Sequence, residues 1–467
     1  MTTPAQLKTL FDRQKKAFAA NPNPSLKQRE ERLDALTDAL VANRRKIQEA
    51  LREDFSAHPD AQADFIEVFG VVGRLQHAKS MLAKWMATDA RDLDAAMYGK
   101  SKAYVSPQPK GVIGNMAPWN FPFDIGIGPL AEMIAGGNSV IVKPSDMTPA
   151  CSLLMKEMLA VVIDEEIVGV VPGDIELAKA FPKLPWDHLL YTGNPDVARY
   201  VAREAAANLT PLTLELGGKC PALFTEESVT REGVSSVLRT KMVKNGQMCV
   251  SPDYVLAPRA CIDAFVDHAR AFMSEAAPDY VDSGNVTGII NDGHVARIEA
   301  LLSSAVDAGA EIVSLGDASK TNDRRMPLRL VVNPSLECQL MREEIFGPVL
   351  PVIAYDSLDE AIGHIVRSER PLGVYAYTND DALKVRILSE THSGGVTFNG
   401  CAFQAAQPNI GFGGTGLSGY GRHHGIEGFR EFTNPRGVVD LDPKAMALTI
   451  APPYGEMAEA FIAELTK

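Results

Sequence analysis

The chain has 467 residues, 46% of them hydrophobic and 22% charged, and its charges sum to −13 at neutral pH. That length holds roughly three domains' worth of material, and the apolar content excludes a disordered chain. The acidic balance excludes a general nucleic-acid binder, because phosphate recognition needs clustered positive charge. Short basic runs such as Arg44-Arg45-Lys46 lie among acids and read as solvated helix face.

The first twenty residues are polar and charged, unlike the apolar core of a signal peptide. No stretch reaches the roughly 18 uncharged apolar residues of a spanning helix; residues 125–142 come nearest and are interrupted by Glu132 and Asn138. The cysteines (151, 220, 249, 261, 338 and 401) lie far apart with no Cys-x-x-Cys pair, which argues against a disulfide framework or a zinc site. These features predict a cytoplasmic protein with no membrane segment and no metal centre.

Residues 26–55 predict one amphipathic helix, with Leu33, Leu36, Leu40, Ile47 and Leu51 at helical spacing. The segment 89–104 is polar and fits no regular element. From about residue 105 short β-branched runs at 111–114, 139–142, 167–171 and 188–191 alternate with helical stretches such as 129–134 and 150–162. This alternation predicts an α/β fold with a parallel sheet covered by helices on both faces. A second alternating region runs from 214 to about 399. The glycine-dense stretch 411–421 comes next, then a tail rich in turn formers.

Gly411-Phe412-Gly413-Gly414-Thr415-Gly416 is a literal G-x-G-x-x-G. The residues after it, Leu417 to Gly425, cannot start a helix cleanly, so a tight structural loop is expected instead of a phosphate cradle. A cofactor signal with less glycine lies at Val142-Lys143-Pro144-Ser145-Asp146, where a buried strand ends on a lysine before a helix-opening turn. Strand carboxyl ends are where open α/β sheets bind ligands. Lys143 and Asp146 could hydrogen-bond ribose hydroxyls, and Asp146 would repel a 2′-phosphate. The plainer reading is a capped helix beside an exposed lysine, but the form recurs at Leu190-Tyr191-Thr192-Gly193-Asn194, which favours a dinucleotide site.

Reactive groups carry the same kind of paired readings. Cys249, in Asn245-Gly246-Gln247-Met248-Cys249, suits attack on a carbonyl, although burial as a small hydrophobe is the default for a cysteine. Glu215 interrupts the apolar run Leu214-Glu215-Leu216, where burial raises a carboxyl towards general-base use; a satisfied structural carboxylate is the alternative. Asn120, fixed between Pro118 and Pro122, can stabilise an oxyanion or merely shape its turn. Glu344 and Phe346, in Glu344-Ile345-Phe346-Gly347-Pro348, offer an acid and an aromatic to hold a flat ring, or an ordinary helix end.

Taken in chain order, Pro118-Trp119-Asn120-Phe121-Pro122, Lys143-Pro144-Ser145, Thr192-Gly193, Leu214-Glu215-Leu216-Gly217-Gly218-Lys219, Gly246-Gln247-x-Cys249, Glu344-x-Phe346-Gly347-Pro348 and the loop 411–421 resemble the NAD(P)-dependent aldehyde dehydrogenase superfamily. The resemblance spans about residues 25–440. The stretch Gly419 to Gly425 is most similar to its class 3 branch, and 208–215 and 249–256 resemble the coniferyl-aldehyde dehydrogenases within it. The resemblance implies a Rossmann-like coenzyme domain (1–88 and 105–217), an α/β catalytic domain (218–425), and a small β oligomerisation element with a tail (89–104 and 426–467). It implies oxidation of an aldehyde, of an aromatic, coniferyl-aldehyde-like kind, to the carboxylic acid by a homodimer. Catalysis would use Cys249 as nucleophile, Asn120 for the oxyanion and Glu215 to activate water. The coenzyme would be held by Lys143, Ser145, Asp146, Thr192, Gly193, Asn194, Trp119, Glu344 and Phe346.

Some positions depart from the pattern. Ala198 stands where relatives often have glycine, Gly400 and Gln404 replace an Asp and a His of the late loop, and Asp124 stands where relatives place an uncharged residue. The last three are expected at the substrate entrance. Asp146, where class 3 relatives have glutamate, favours NAD, although relatives with an acid there use NADP as well. A CoA-acylating semialdehyde dehydrogenase is the alternative enzyme, disfavoured by Glu215. A coenzyme-free thioesterase is disfavoured by Lys143 and Glu344, and a non-catalytic relative by the joint presence of Cys249, Glu215 and Asn120.

Overall fold

The structure, a computed structural model, describes residues 1–317, 319–320 and 323–466. The first elements are helices, Pro4–Ala20, Leu26–Ala42 and Arg44–Phe55, the first two opened by capping boxes on Thr3 and Ser25. The single helix expected over 26–55 is therefore two. Asn43 separates them: its backbone leaves the helical region (φ −101°, ψ 10°) and its Nδ2 donates to the Ala39 carbonyl at 2.9 Å. A π-helical turn, Ala63–Val68, then leads into the helix Phe69–Trp85. Such turns are rare and concentrate at functional sites.

The strands form three sheets. β1 (Asp89–Arg91) and β2 (Lys102–Pro109) come first. β3 (Val112–Met116), β4 (Ser139–Lys143), β5 (Val168–Val170), β6 (His188–Gly193) and β7 (Leu212–Leu216) lie parallel in the spatial order β7-β6-β3-β4-β5. This is the doubly wound order of dinucleotide-binding sheets, reversing between β3 and β6. Val140, Ile141 and Val142 of β4 are all fully buried, as expected of a parallel strand covered on both faces.

Beyond β7 the chain passes through Gly217-Gly218 into a second sheet. Its strands are β8 (Cys220–Phe224), β9 (Pro252–Pro258), β10 (Glu311–Ser314), β11 (Arg329–Val332), β12 (Val349–Tyr355), β13 (Gly373–Tyr377) and β14 (Gly395–Phe398). Their order is β10-β11-β12-β9-β8-β13-β14, parallel apart from the β10–β11 pair. Successive residues of β8 feed opposite cores: Ala222 and Phe224 pack with Phe265 on one face, Leu223 with Ile298 on the other. β15 (Gly419–Tyr420) returns to the first sheet and pairs antiparallel with β7, Gly419 opposite Glu215. β16 (Thr433–Asp440) pairs antiparallel with β2, which also carries β1, and the three make a separate small sheet.

Under the first sheet, Arg74 and Glu132 form an ion pair with side chains 5% and 0% exposed and Nη2–Oε2 at 2.5 Å. It ties the helix Phe69–Trp85 to Leu130–Ala135. Removing one partner strands the other charge in an apolar interior. Glu132→Gln is expected to destabilise the protein by about 3–5 kcal/mol, seen as a lower urea midpoint, whereas Asp12→Asn in the exposed Lys8–Asp12 pair leaves the midpoint almost in place.

Candidate active site

Loops from the carboxyl ends of β3, β6 and β7 meet the segment entering β9 around a cavity of about 650 Å³. Its wall is largely aromatic and apolar, with Phe65, Phe69, Phe121, Phe403 and Phe412, and it includes Cys249, Glu215 and Thr192. The sequence-predicted thiol and carboxyl therefore share one cavity.

Cys249 stands just ahead of β9, after a tight turn in which Lys244, Asn245 and Gly246 all take left-handed conformations (φ 54°, 53° and 77°). The turn is pinned from several sides. Asn245 Nδ2 donates to the Met326 carbonyl at 3.1 Å. Gln247 donates to the carbonyls of Lys244 and Gly288 at 2.9 and 3.0 Å and accepts from Ile290 N–H at 3.0 Å. Burial pushes the Cys249 thiol well up, and the carboxylates of Glu344 and Glu215 push the same way. The thiol is protonated at rest and needs a base when it reacts.

Glu215 is 2% exposed, and neither carboxylate oxygen has a hydrogen-bond partner. Burial holds its pKa well above the ordinary carboxylate range, against the pull of Arg422. The glycine-dense loop closes over it: a Cβ on Gly413 would stand 2.8 Å from Glu215 Oε1 and closer still to the Gly421 carbonyl oxygen. Phe412 and His423 exchange backbone hydrogen bonds across this loop, which continues through a single 3-10 turn, Gly416–Ser418, into β15. Gly413 serves close packing on the Glu215 carboxyl group, and Gly414 and Gly419 the close approach of backbone to backbone. Asn120, 3% exposed, donates through Nδ2 to the Gln247 carbonyl at 3.1 Å, which leaves that nitrogen its second hydrogen.

The buried Glu67 binds these pieces together. Its Oε2 accepts from the backbone N–H groups of Phe123 and Asp124 at 2.9 and 3.0 Å, and its Oε1 pairs with Lys244 Nζ at 3.1 Å. Lys244 Nζ also reaches His58 Nε2 at 2.8 Å and lies over the rings of Phe55 and Phe121. Sequence reading misses Glu67, Lys244 and His58. A signal for Glu67 exists, since it is the lone acid in Phe65-Ile66-Glu67-Val68-Phe69, the same kind of interruption that marks Glu215.

The other predicted positions divide. Lys143 is buried at the end of β4, 4.0 Å from Asp146, and its ammonium is held below its usual range by burial. Thr192 Oγ1 is buried without a partner. Gly193 ends β6, and Asn194 caps the next helix by accepting from Asp196 N–H. Ser145 accepts from Met147 N–H. Glu344 is pushed up to about 8, by burial first and then by the Asp253 carboxylate. Its carboxylate lies where a Cβ on Gly217 would stand, so a side chain there would displace it. Phe346 takes φ 48° and sets its ring 5.4 Å from that of Trp119. Ala198 is buried in the apolar cluster of Val201 and Tyr191. A partnerless hydroxyl, a strand-end ammonium and a carboxyl offer donors and acceptors suited to the hydroxyls of a dinucleotide. Of the three positions expected at the substrate entrance, Asp124 lines the cavity. Gln404 does not: Thr397 holds its side chain by a hydrogen bond, turned from the wall formed by Phe403 and Ala405. Gly400 lies under the Phe403 ring.

Among the described residues no helix is long and apolar enough to cross a membrane, and no group of three His, Cys, Asp or Glu side chains could hold a metal ion. Residues 1–438 match the aldehyde dehydrogenase family. The chain is 38% identical to the probable coniferyl aldehyde dehydrogenase of Caulobacter vibrioides, covering 98% of this chain and 96% of that protein. It is 36% identical to the coniferyl aldehyde dehydrogenase of a Pseudomonas species, with the same coverage. The substrate-bound structure of Staphylococcus aureus AldH superposes with a TM-score of 0.92 at 29% identity over the whole of both chains. With the doubly wound sheet, the cysteine-lined cavity and this match across nearly its full length, the chain belongs to the aldehyde dehydrogenase family, NAD(P)-dependent enzymes that oxidise aldehydes to carboxylic acids.

Proposed function

We propose that the chain oxidises an aromatic aldehyde of the coniferyl-aldehyde kind to its acid, with Cys249, Glu215 and Asn120 as the catalytic groups. The observation that carries this is the pairing of a thiol and an unpartnered buried carboxyl in one aromatic-walled cavity. The names of the relatives from Caulobacter and Pseudomonas support the substrate class.

In this reading the Cys249 thiol gives up its proton to solvent water and the thiolate sulfur adds to the aldehyde carbon. The oxyanion so formed is received by the second hydrogen of Asn120 Nδ2 and by the Cys249 backbone N–H. When bound, the coenzyme supplies the hydride acceptor that leaves a thioester on Cys249. Glu215 then takes a proton from water, which attacks the thioester carbon and releases the acid with return of the thiol. Lys143 and Asp146 would hold the adenosine ribose, with Ser145, Thr192, Gly193 and Asn194 beside it at the strand ends. Glu344 would hold the nicotinamide ribose, with Phe346 and Trp119 beside the ring. The sheet β3–β7 would serve as the coenzyme domain, the sheet β8–β14 as the catalytic domain, and the small sheet as the oligomerisation element of a cytoplasmic homodimer. Exposed Val439, Leu441, Leu448 and Ile450 support the last assignment, being apolar surface that a second copy would cover.

The test is NADH formation from aromatic, aliphatic and semialdehyde substrates with either coenzyme. Cys249→Ala is expected to abolish turnover while coenzyme binding, followed by fluorescence, survives. Glu215→Gln should give a single burst of reduced coenzyme and then steady turnover at least 100-fold slower. Because Glu215 acts when ionised and burial raises its pKa, native turnover should climb with pH above the ordinary carboxylate range, and the glutamine variant should lose that dependence. Asp146→Ala should narrow the preference for NAD over NADP about tenfold by removing one carboxylate from beside the 2′ position.

A further inference from the structure

Asp124 is a carboxyl on the cavity wall that the reaction above does not use. It lies in the helix Pro122–Ile127, one turn beyond Asn120. Its backbone is fixed from both ends, N–H to Glu67 Oε2 at 3.0 Å and carbonyl to Gly128 N–H at 2.8 Å. Its side chain makes no hydrogen bond or ion pair among the described residues. The cavity lining includes Phe65, Phe69, Phe121, Ile125 and Phe403, together with Arg74, Thr240 and His423. Asp124 is half-buried, so its carboxyl is open to a hydrogen-bond donor that enters the cavity. Burial, then Glu67, pushes Asp124 up to about 7, against Arg74 and Lys244.

We infer that Asp124 selects the substrate: its carboxyl accepts a hydrogen bond from a hydroxyl on the aromatic body of the aldehyde whose carbonyl end meets Cys249. This rests on the aromatic-aldehyde reading and adds the group that recognises the ring substituent. The aromatic side chains of the wall fit a flat ring, and Asp124 offers an acceptor to a donor on that ring from a lining that also carries Arg74, Thr240 and His423. Glu67 acts on Asp124 with negative charge, and Arg74 and Lys244 with positive charge. A hydroxyl donor is neutral and engages the carboxyl without adding a charge to this set. It serves Asp124 whether the carboxyl is ionised or neutral, since either form offers an acceptor oxygen. The helix that carries Asp124 is held by Glu67, so the acceptor is set before the substrate arrives.

The experiment compares kcat/KM for cinnamaldehyde and its 3-hydroxy, 4-hydroxy, 4-methoxy and 4-aminomethyl derivatives in the native enzyme, Asp124→Asn and Asp124→Leu. The native enzyme is expected to favour one hydroxy isomer over the methoxy compound about tenfold or more. Asp124→Leu should reverse this order and raise kcat/KM for unsubstituted cinnamaldehyde. Asp124→Asn, which keeps an acceptor oxygen, should retain part of the preference and shows that the helix still folds. An unchanged hydroxyl preference in Asp124→Leu overturns the inference, as does a native preference for the aminomethyl aldehyde that the leucine removes. Titration of 4-hydroxycinnamate, 3-hydroxycinnamate and cinnamate into Cys249→Ala reads the same discrimination without turnover. Equal affinity for all three acids counts against Asp124. Failure of the native enzyme to reduce coenzyme with any aromatic aldehyde, with the hydroxy acids still preferred, counts against the aromatic-aldehyde reading alone.

Discussion

The structure depends on the groups that one buried carboxylate holds. Glu67 accepts from the first turn of the helix after Asn120 with one oxygen and pairs with Lys244, five residues before Cys249, with the other. The amide and the thiol come from loops more than a hundred residues apart in sequence, and each loop would drift alone. A charge-assisted bond to each fixes their separation from below, and the Asn120–Gln247 hydrogen bond fixes it from the side. The π-helical turn that carries Glu67 adds the extra residue needed to turn an acid inward from a helix whose neighbours Phe65 and Phe69 face outward. Loss of that carboxylate would leave Lys244 charged in the interior, so the site and the fold are coupled at this point.

Around that anchor the architecture sets two sheets end to end. The carboxyl ends of the first sheet supply Asn120, Thr192 and Glu215, and the segment entering the second supplies Cys249. Gly217 permits the crossing because Glu344 occupies the space a side chain would need. The enclosure decides the chemistry. In open solvent Glu215 would be an ordinary carboxylate and Cys249 an ordinary thiol. Buried, both are held above their ordinary pKa ranges.

Much of this is legible in the sequence because parallel strands buried on both faces leave short continuous apolar runs, and a polar residue inside such a run stands out. Lys143, Thr192 and Glu215 are marked that way. Glu67 interrupts an apolar run in the same way, but it lies among helices, where spacing tolerates an acid every few residues, so the interruption goes unread. The break at Asn43 is invisible for a related reason: asparagine can finish one helix and open the next without a proline or glycine to announce it. Gln404 is misplaced by sequence reading because spacing along a loop does not say which way a side chain points. Asn399 and Ala402 take left-handed conformations there and rotate the residues after them. The G-x-G-x-x-G stretch reads as a loop from the residues on its carboxyl side. The carboxyl group it packs against, however, lies about 200 residues earlier in the chain and could come only from the fold.

The pairing of β15 with β7 has a consequence for how the chain is made. β7, which carries Glu215, keeps an open edge until residues 419–420 emerge, and β2 keeps one until β16 is made. Unpaired strand edges invite pairing with other chains. The nascent protein therefore carries two such edges through most of its synthesis. The buried Glu215 is sealed only when nearly the whole chain has left the ribosome, so a stalled or nicked product is sticky before it is ever an enzyme.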